Sequence, residues 1–445
     1  MPAEVWLNNT LENLQLQSNP GFDSLPDAPL YSPLNAFRGL QEKCGLKELV
    51  LNIPSATGIV RAAAQYQTSL SALMGGACAF ERIIERIREA REQIEIRMFI
   101  WRRDSIGERI AEELAAAADR GVRVKIRKDL LGSIHERAEE NRMSFFPHRQ
   151  PLHVWLLTQL MKRLYFRPVP AAVLKQRSRS RKTHRLLNHP LVTAQYQERL
   201  WDHSKAYVFD RETLILGGMN IEEKLTVGDV HGKRWRDYMV EIQNATLAQA
   251  FLQGKSVGVD LNSGSVRLIL HPGDRYAGES AIRTEIIKLL RKARRDAIIE
   301  MAYFGDEVIT REIIAAQRRG VAIKIVTSAS ANIQSNLNLH ILRQILDQTD
   351  GQARIYLSPK MIHSKVMLVD DHQVYLGSGN FNRSSIKCAE VAVVMNCKKM
   401  ASVLGEFRNS LQEAICESTE VQSAQDVRFH RFLSIMQQML SSARI

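Results

Sequence analysis

One pattern occurs twice in this chain, and its repetition constrains the fold more than any other feature. His203-Ser204-Lys205 is followed by four residues and Asp210, and His363-Ser364-Lys365 by four residues and Asp370. Each copy leads into a glycine-rich turn closing on asparagine, Gly217-Gly218-Met219-Asn220 and Gly377-Ser378-Gly379-Asn380. The histidine and the asparagine are 17 positions apart in both, from 203 to 220 and from 363 to 380. One match to so loose a pattern is weak; two with the same onward spacing imply a duplicated unit.

The local chemistry follows from strand geometry. Residues i and i+2 of a β-strand share a face, so each histidine is predicted to point the same way as its lysine. Asp210-Arg211-Glu212 and Asp370-Asp371-His372 read as turns, and 213–216 and 373–376 as returning strands. Each copy is then a hairpin offering an imidazole and an ammonium to a common point. An imidazole can attack phosphorus or carry a proton, and a lysine can hold a phosphate as a point charge. Asparagine and small turn residues add hydrogen bonds without bulk.

The repeat is longer than the motif. Residues 80–90 carry Ile83, Ile84 and Ile87 at helical spacing; 94–101 reads as a strand, 106–120 as a helix and 121–126 as a strand. Residues 282–293, 297–304, 307–319 and 320–325 replay this order as helix, strand, helix and strand. Such alternation predicts an α/β fold: two repeated α/β/α sandwich halves packed as a pseudo-dimer, with the site at the seam because neither hairpin alone surrounds a phosphate. The expected divisions are an irregular leader over 1–60 with one helix at 34–49, a first half over 61–255, and a second half with a C-terminal helix over 256–445. In that last helix Phe429, Phe432, Leu433, Met436 and Leu440 share one face, which predicts docking on the second half, with a membrane contact as the alternative.

The first half also carries an insertion. Arg-Gly-Val recurs at an offset of 199 residues and the histidine motif at 160, leaving about 39 extra residues between 132 and 201. Between 141 and 200 there are twelve basic side chains and one acid, Glu198. Trp155 stands with other apolar residues at helical spacing just ahead of the basic run. Trp155, Lys162, Arg163, Arg177, Arg179, Arg181 and Lys182 are therefore candidate contacts to an anionic membrane surface. The alternative is a core-packed helix followed by a solvated basic loop. A nucleic-acid groove is less favoured, because the run lacks interleaved aromatics.

The doubled motif, with Gly217-Gly218-Met219-Asn220-Ile221, Trp235-Arg236-Asp237 and Gly377-Ser378-Gly379-Asn380-Phe381 followed by Ser385 and Glu390, resembles the phospholipase D superfamily. It is most similar to bacterial cardiolipin synthases and their relatives. Gly379 and Asn382-Arg383-Ser384 depart from that subgroup, which usually has Ala and Asp-Pro-Arg there. The resemblance covers about residues 73 to 415. It implies two-step transfer through a phosphohistidine: one histidine attacks the phosphodiester, and the other protonates the leaving alcohol and then deprotonates the acceptor. It implies a catalytic set of His203, Lys205, Asp210, His363, Lys365 and Asp370, with His203 as nucleophile and His363 as acid. The two aspartates are expected to orient or balance their neighbours. Asn220, Asn380 and Ser385 are expected around the phosphate, and Asp237 and Glu390 behind the imidazoles.

The net charge of +13 calls for an anionic partner. The resemblance makes that partner anionic phospholipid at a membrane surface, with no cofactor, no metal and no obligate protein partner. Three activities stay open: phosphatidyl transfer of the cardiolipin synthase kind, phospholipase D-type hydrolysis to phosphatidic acid, and phosphodiester cleavage in nucleic acid. A non-catalytic membrane-binding protein is the fourth reading, disfavoured because both motifs are intact. No run of 18 apolar residues predicts a spanning helix, and the N-terminus lacks the basic and apolar regions of a secretory signal. Five scattered cysteines suit a reducing compartment. The expected location is cytoplasmic and peripheral at the membrane.

Overall fold

The computed structural model describes residues 60–63, 68–138, 144–146, 152, 155–156, 158–159, 162, 181–197, 201–229, 232–261, 264–273 and 280–442. The chain divides into two units, 1–58 and 59–445, and the expected leader, apart from Val60 at its end, lies outside the described residues. The second unit holds both copies of the histidine motif.

Its first part runs β1 (Val60–Ala63), β2 (Ser69–Met74), α1 (Gly76–Glu89), β3 (Gln93–Met98), α2 (Ser105–Asp119), β4 (Arg123–Asp129), α3 (Leu130–Ala138), α4 (Arg181–Leu187), β5 (Val192–Gln197), β6 (Ala206–Phe209), β7 (Thr213–Gly217), β8 (Tyr238–Gln243) and α5 (Ala245–Gln253). The second runs β9 (Val257–Leu261), β10 (Gly264–Pro272), α6 (Ala281–Lys292), β11 (Asp296–Met301), α7 (Glu307–Arg318), β12 (Ala322–Ser328), α8 (Ser335–Gln348), β13 (Arg354–Ser358), β14 (Lys365–Val369), β15 (Gln373–Gly377), α9 (Arg383–Lys387), β16 (Ala389–Asn396), α10 (Ala401–Cys416), β17 (Thr419–Glu420) and α11 (Arg431–Ser442).

Two mixed sheets result. One has the order β2-β8-β7-β6-β3-β4-β5, the other β1-β9-β10-β16-β15-β14-β11-β12-β13-β17. The repeat is visible in them, because β8-β7-β6-β3-β4-β5 and β16-β15-β14-β11-β12-β13 have the same order. Sheet and sequence part company at one edge: β1, ahead of the first repeat, pairs parallel with β9 of the second sheet.

Strand alternation explains why the sheets stack. Tyr207, Phe209 and Ile215 face a core formed with α1 and α2, and Met367, Val369 and Tyr375 face one formed with α6, α7 and α8. The neighbours between them, Ala206, Val208, Leu214, Leu216, Val366, Leu368, Val374 and Leu376, belong to one shared cluster. The hairpins of the two repeats are therefore back to back, and strands buried on both faces read as continuous apolar runs. Helices α5 and α10 complete the shared core through Phe251 and Phe407.

Each hairpin turns through two residues at positive φ, Asp210 (49°) and Arg211 (60°), and Asp370 (50°) and Asp371 (57°). Two such residues mark a type I′ turn, whose twist matches the flanking strands. Asp210 accepts hydrogen bonds from the amides of Arg91, Glu92 and Gln93, and Asp370 from those of Arg294, Arg295 and Asp296.

The C-terminal helix corrects an expectation. Helix α11 starts at Arg431, leaving Phe429 ahead of it, stacked on His340 at 4.9 Å. The docked face is centred on buried Ser434, which hydrogen-bonds His340 at 2.7 Å, and Gln437 accepts from the Leu337 amide at 3.0 Å. Polar anchors thus set the rotation, and Phe432 of the expected apolar face lies 68% exposed.

Candidate active site

The two histidines do not stand on strands. His203 and His363 lie in extended segments just ahead of β6 and β14, and each segment is tied to the other half. His203 N–H donates to the Ala389 carbonyl and His363 N–H to that of Arg236, both at 2.8 Å. Asp202 bridges to Ala389, and Ile362 to Arg236. These crossed backbone ties bring both motifs to one seam.

The same exchange governs the side chains. His203 Nδ1 lies 3.1 Å from both carboxylate oxygens of Glu390, and His363 Nδ1 lies 2.7 Å from Asp237 Oδ2. Each imidazole is therefore held by a carboxylate from the opposite repeat. The two acids occupy equivalent positions. Gly217 pairs with Met239 and Gly377 with Ala392, and each acid stands two residues before that partner. Sequence offsets conceal this equivalence, because Asp237 follows Asn220 by 17 residues and Glu390 follows Asn380 by 10.

What lies behind each acid differs. Ser378 Oγ donates to Glu390. At the matching position, Gly218 leaves room for Asp237: a Cβ there would meet its Oδ1 at 2.3 Å. The Tyr238 amide donates to Asp237 Oδ1 at 2.8 Å.

Lys205 and Lys365 are fully buried, and each donates to the carbonyl of its own histidine. Lys365 Nζ is also 3.2 Å from His363 Nδ1, and Lys205 Nζ lies 4.9 Å from the centre of the Phe99 ring. Phe99 packs edge-on against His203 at 4.6 Å, and Trp235 lies tilted at 37° against His363 at 5.6 Å.

Burial dominates the electrostatics. It lowers Lys205 to about 7 and Lys365 to about 8, in Lys205 with help from the neighbouring ammonium of Lys365. Burial also lowers both imidazoles, against the pull of Glu390 at His203 and with the push of Lys365 at His363. Burial pushes Asp237 up to about 7. Burial raises Glu390 too, but His203, Lys205 and the Ser378 hydroxyl outweigh it and hold the carboxyl below its usual range. An ionised Glu390 only accepts, so His203 carries its proton on Nδ1 and keeps the Nε2 lone pair free.

Other candidates fall further out. Asp210 and Asp370 stand at the far ends of β6 and β14, roughly 20 Å of strand from their histidines. Both lie in the hairpin turns, on the backbone amides named above. Asn220 Oδ1 accepts from the Ile100 amide and its Nδ2 donates to Glu222, both at 3.3 Å. Asn380 is buried, and its Oδ1 has no partner among the described residues. Ser385 Oγ accepts from the Asn380 amide at 2.9 Å and so braces that turn.

In the insertion, Trp155 is 47% exposed and Lys162 half-buried. Arg163, Arg177 and Arg179 lie outside the described residues. Arg181 is exposed at the start of α4, whereas Lys182 donates to Glu112 at 2.8 Å.

Sequence reasoning missed Phe99, Ser378 as the hydroxyl behind Glu390, and a buried support beneath His363. There Glu300 accepts from Ser364 Oγ and from Tyr238 at 3.1 Å, with Arg236 at 3.3 Å. The paired serines between His and Lys were the available signal.

The family model described as "Cardiolipin synthase, PLD-like domain" matches residues 83–254 and 286–411. The chain belongs to that phospholipase D-like family. Cardiolipin synthase B of Escherichia coli (strain K12) is 24% identical over 370 residues, 78% of this chain and 81% of its own length. Cardiolipin synthase A of Pseudomonas putida (strain W619) is 24% identical over 333 residues, 71% of this chain and 62% of its own. The fold resembles the crystal structure of phosphatidylserine synthase from Haemophilus influenzae Rd KW20. That likeness has a TM-score of 0.61 at 16% identity and covers 83% of this chain and 92% of that one. The family explains the doubled motif and the two-halved α/β fold together. Among the described residues, no helix is long and apolar enough to cross a membrane.

Proposed function

We propose that the protein is a phosphatidyltransferase of the cardiolipin synthase kind, acting on anionic glycerophospholipid at a membrane surface. The observation that carries this reading is the crossed pair of imidazole–carboxylate contacts, in a chain whose relatives over most of their length are cardiolipin synthases.

The geometry suits a double displacement. His203 Nε2 attacks phosphorus as Glu390 holds the Nδ1 proton, forming an N–P bond while the P–O bond to the leaving alcohol breaks. His363, with Asp237 stabilising its imidazolium, gives that alcohol a proton. In the second step the neutral His363 takes a proton from the acceptor hydroxyl, whose oxygen displaces His203. Burial and two ammoniums lower both imidazoles, but a phosphodiester anion among them supplies the opposite charge and raises the acid. Lys205, Lys365 and the Asn380 amide stabilise the phosphoryl oxygens. Asn220 holds the first turn. Trp155, Lys162 and Arg181 extend the reading to contacts with the anionic surface.

A product assay tests this function. The protein is incubated with phosphatidylglycerol vesicles, with and without added glycerol. Cardiolipin that falls under excess glycerol is the expected product. Phosphatidic acid alone makes water the acceptor and the protein a hydrolase. Neither product, with single-stranded DNA cut in a parallel tube, removes phospholipid as the substrate.

A further inference from the structure

Helix α11 presents an apolar stripe to solvent. Phe432 is 68% exposed, Ile435 47% and Met439 68%. Their spacing of three and four residues keeps them within one narrow arc, opposite the docked face at Ser434 and Gln437. Isolated exposed apolar side chains are ordinary; three large ones aligned on one helix are a surface in search of a covering.

Charge narrows what covers it. From Val427 to Ile445 the sequence holds three arginines and no acid; Arg431, the first residue of α11, and Arg428, three residues ahead of it, are both exposed. A protein partner would need an apolar groove with an acidic rim, whereas an anionic bilayer offers both parts everywhere along its surface.

Position completes the argument. Helix α11 packs against α8 and α9. Helix α9 directly follows the Asn380 turn, and Ser385 within it braces Asn380. Gln438 of α11 also donates to Glu307 at 3.3 Å, at the start of α7. Met301 at the end of β11 pairs with Lys365, so the segment leading from β11 to α7 lies at the active-site end of the sheet. The Asp370 turn is at the other end. The stripe and the catalytic seam thus share one end of the second half.

We propose that α11 is a membrane-docking element: the Phe432–Ile435–Met439 stripe enters the apolar margin of an anionic bilayer, with Arg428 and Arg431 at its headgroups, and so sets the catalytic seam against the lipid. This deepens the function proposed above and rests on that reading for the substrate, though not for the docking.

The test uses the full chain. Sedimentation with phosphatidylglycerol-containing vesicles is measured for the wild type, for a Phe432→Ser/Ile435→Ser/Met439→Ser variant, and for Arg428→Gln/Arg431→Gln. All five positions are exposed, so the fold is spared. The serine variant is expected to lose roughly tenfold or more in vesicle partition, and the glutamine variant to lose the part that salt screens. Turnover of a short-chain, monomeric phosphatidylglycerol is expected to be unchanged in both. Wild-type partition in the serine variant overturns the proposal, as does a wild type that ignores the vesicles. A serine variant that loses only a dimer, with vesicle binding intact, gives the stripe to a second copy and also overturns it. Vesicle binding that depends on the stripe, in a wild type that turns over no phospholipid, upholds the docking and refutes the proposed activity.

Discussion

At the scale of single residues, Glu390 contacts His203 and Asp237 contacts His363, and the proposed reaction gives these two pairs unequal work. Glu390→Gln leaves a group that can donate to Nδ1 and so favours the wrong tautomer of His203. It is expected to lower kcat by about 10²-fold or more, with KM little changed. Steady-state kinetics on vesicle substrate check this, and an unaltered kcat refutes the assigned tautomer. Gly218→Ala is expected to lower activity by displacing Asp237, because the new methyl group would overlap the carboxylate. The sequence displayed both histidines, both lysines and, through family resemblance, both acids. It could not show which acid serves which imidazole, because that depends on how the halves pack. Phe99 was invisible for the same reason: an apolar residue after a strand carries no mark of the ring it will meet.

At the scale of elements, the hairpins were legible because apolar runs bounded by Asp-rich turns have few other structures open to them. The turn aspartates were harder to read. They were expected to orient or balance neighbouring residues, but which ones the motif does not say; each carboxylate holds the amides that open a neighbouring strand. Asp210→Asn and Asp370→Asn should each lower stability by about 1–3 kcal/mol while leaving kcat within a factor of two. Urea denaturation paired with kinetics checks this, and a large loss of kcat in a stable variant would restore a catalytic role. The rotation of α11 escaped the sequence because Ser434 and Gln437, not the apolar residues, determine its docking.

At the scale of the whole molecule, two buried ammoniums meet only because two sheets stack through a common core. Lys205 near 7 and Lys365 near 8 are partly neutral in mildly alkaline solution, and a bound phosphate restores their charge. Binding of inorganic phosphate should therefore take up protons between about pH 7 and 9 and weaken as pH rises through that range. Calorimetry in buffers of different ionisation enthalpy reads this directly; proton release on binding would contradict it. The repeat order of the strands was legible from the sequence. The edge pairing of β1 with β9 was not, because a four-residue strand has no signature that names its partner.

In the proposed reaction the two halves share one covalent step. Rapid quenching into alkali, with mass spectrometry of the histidine peptides, tests it during turnover of a phosphatidyl nitrophenol, whose leaving group needs no acid. A phosphatidyl adduct on His203 is expected in the wild type, with build-up in His363→Ala and absence in His203→Ala. Steady turnover with no adduct on either histidine would contradict it.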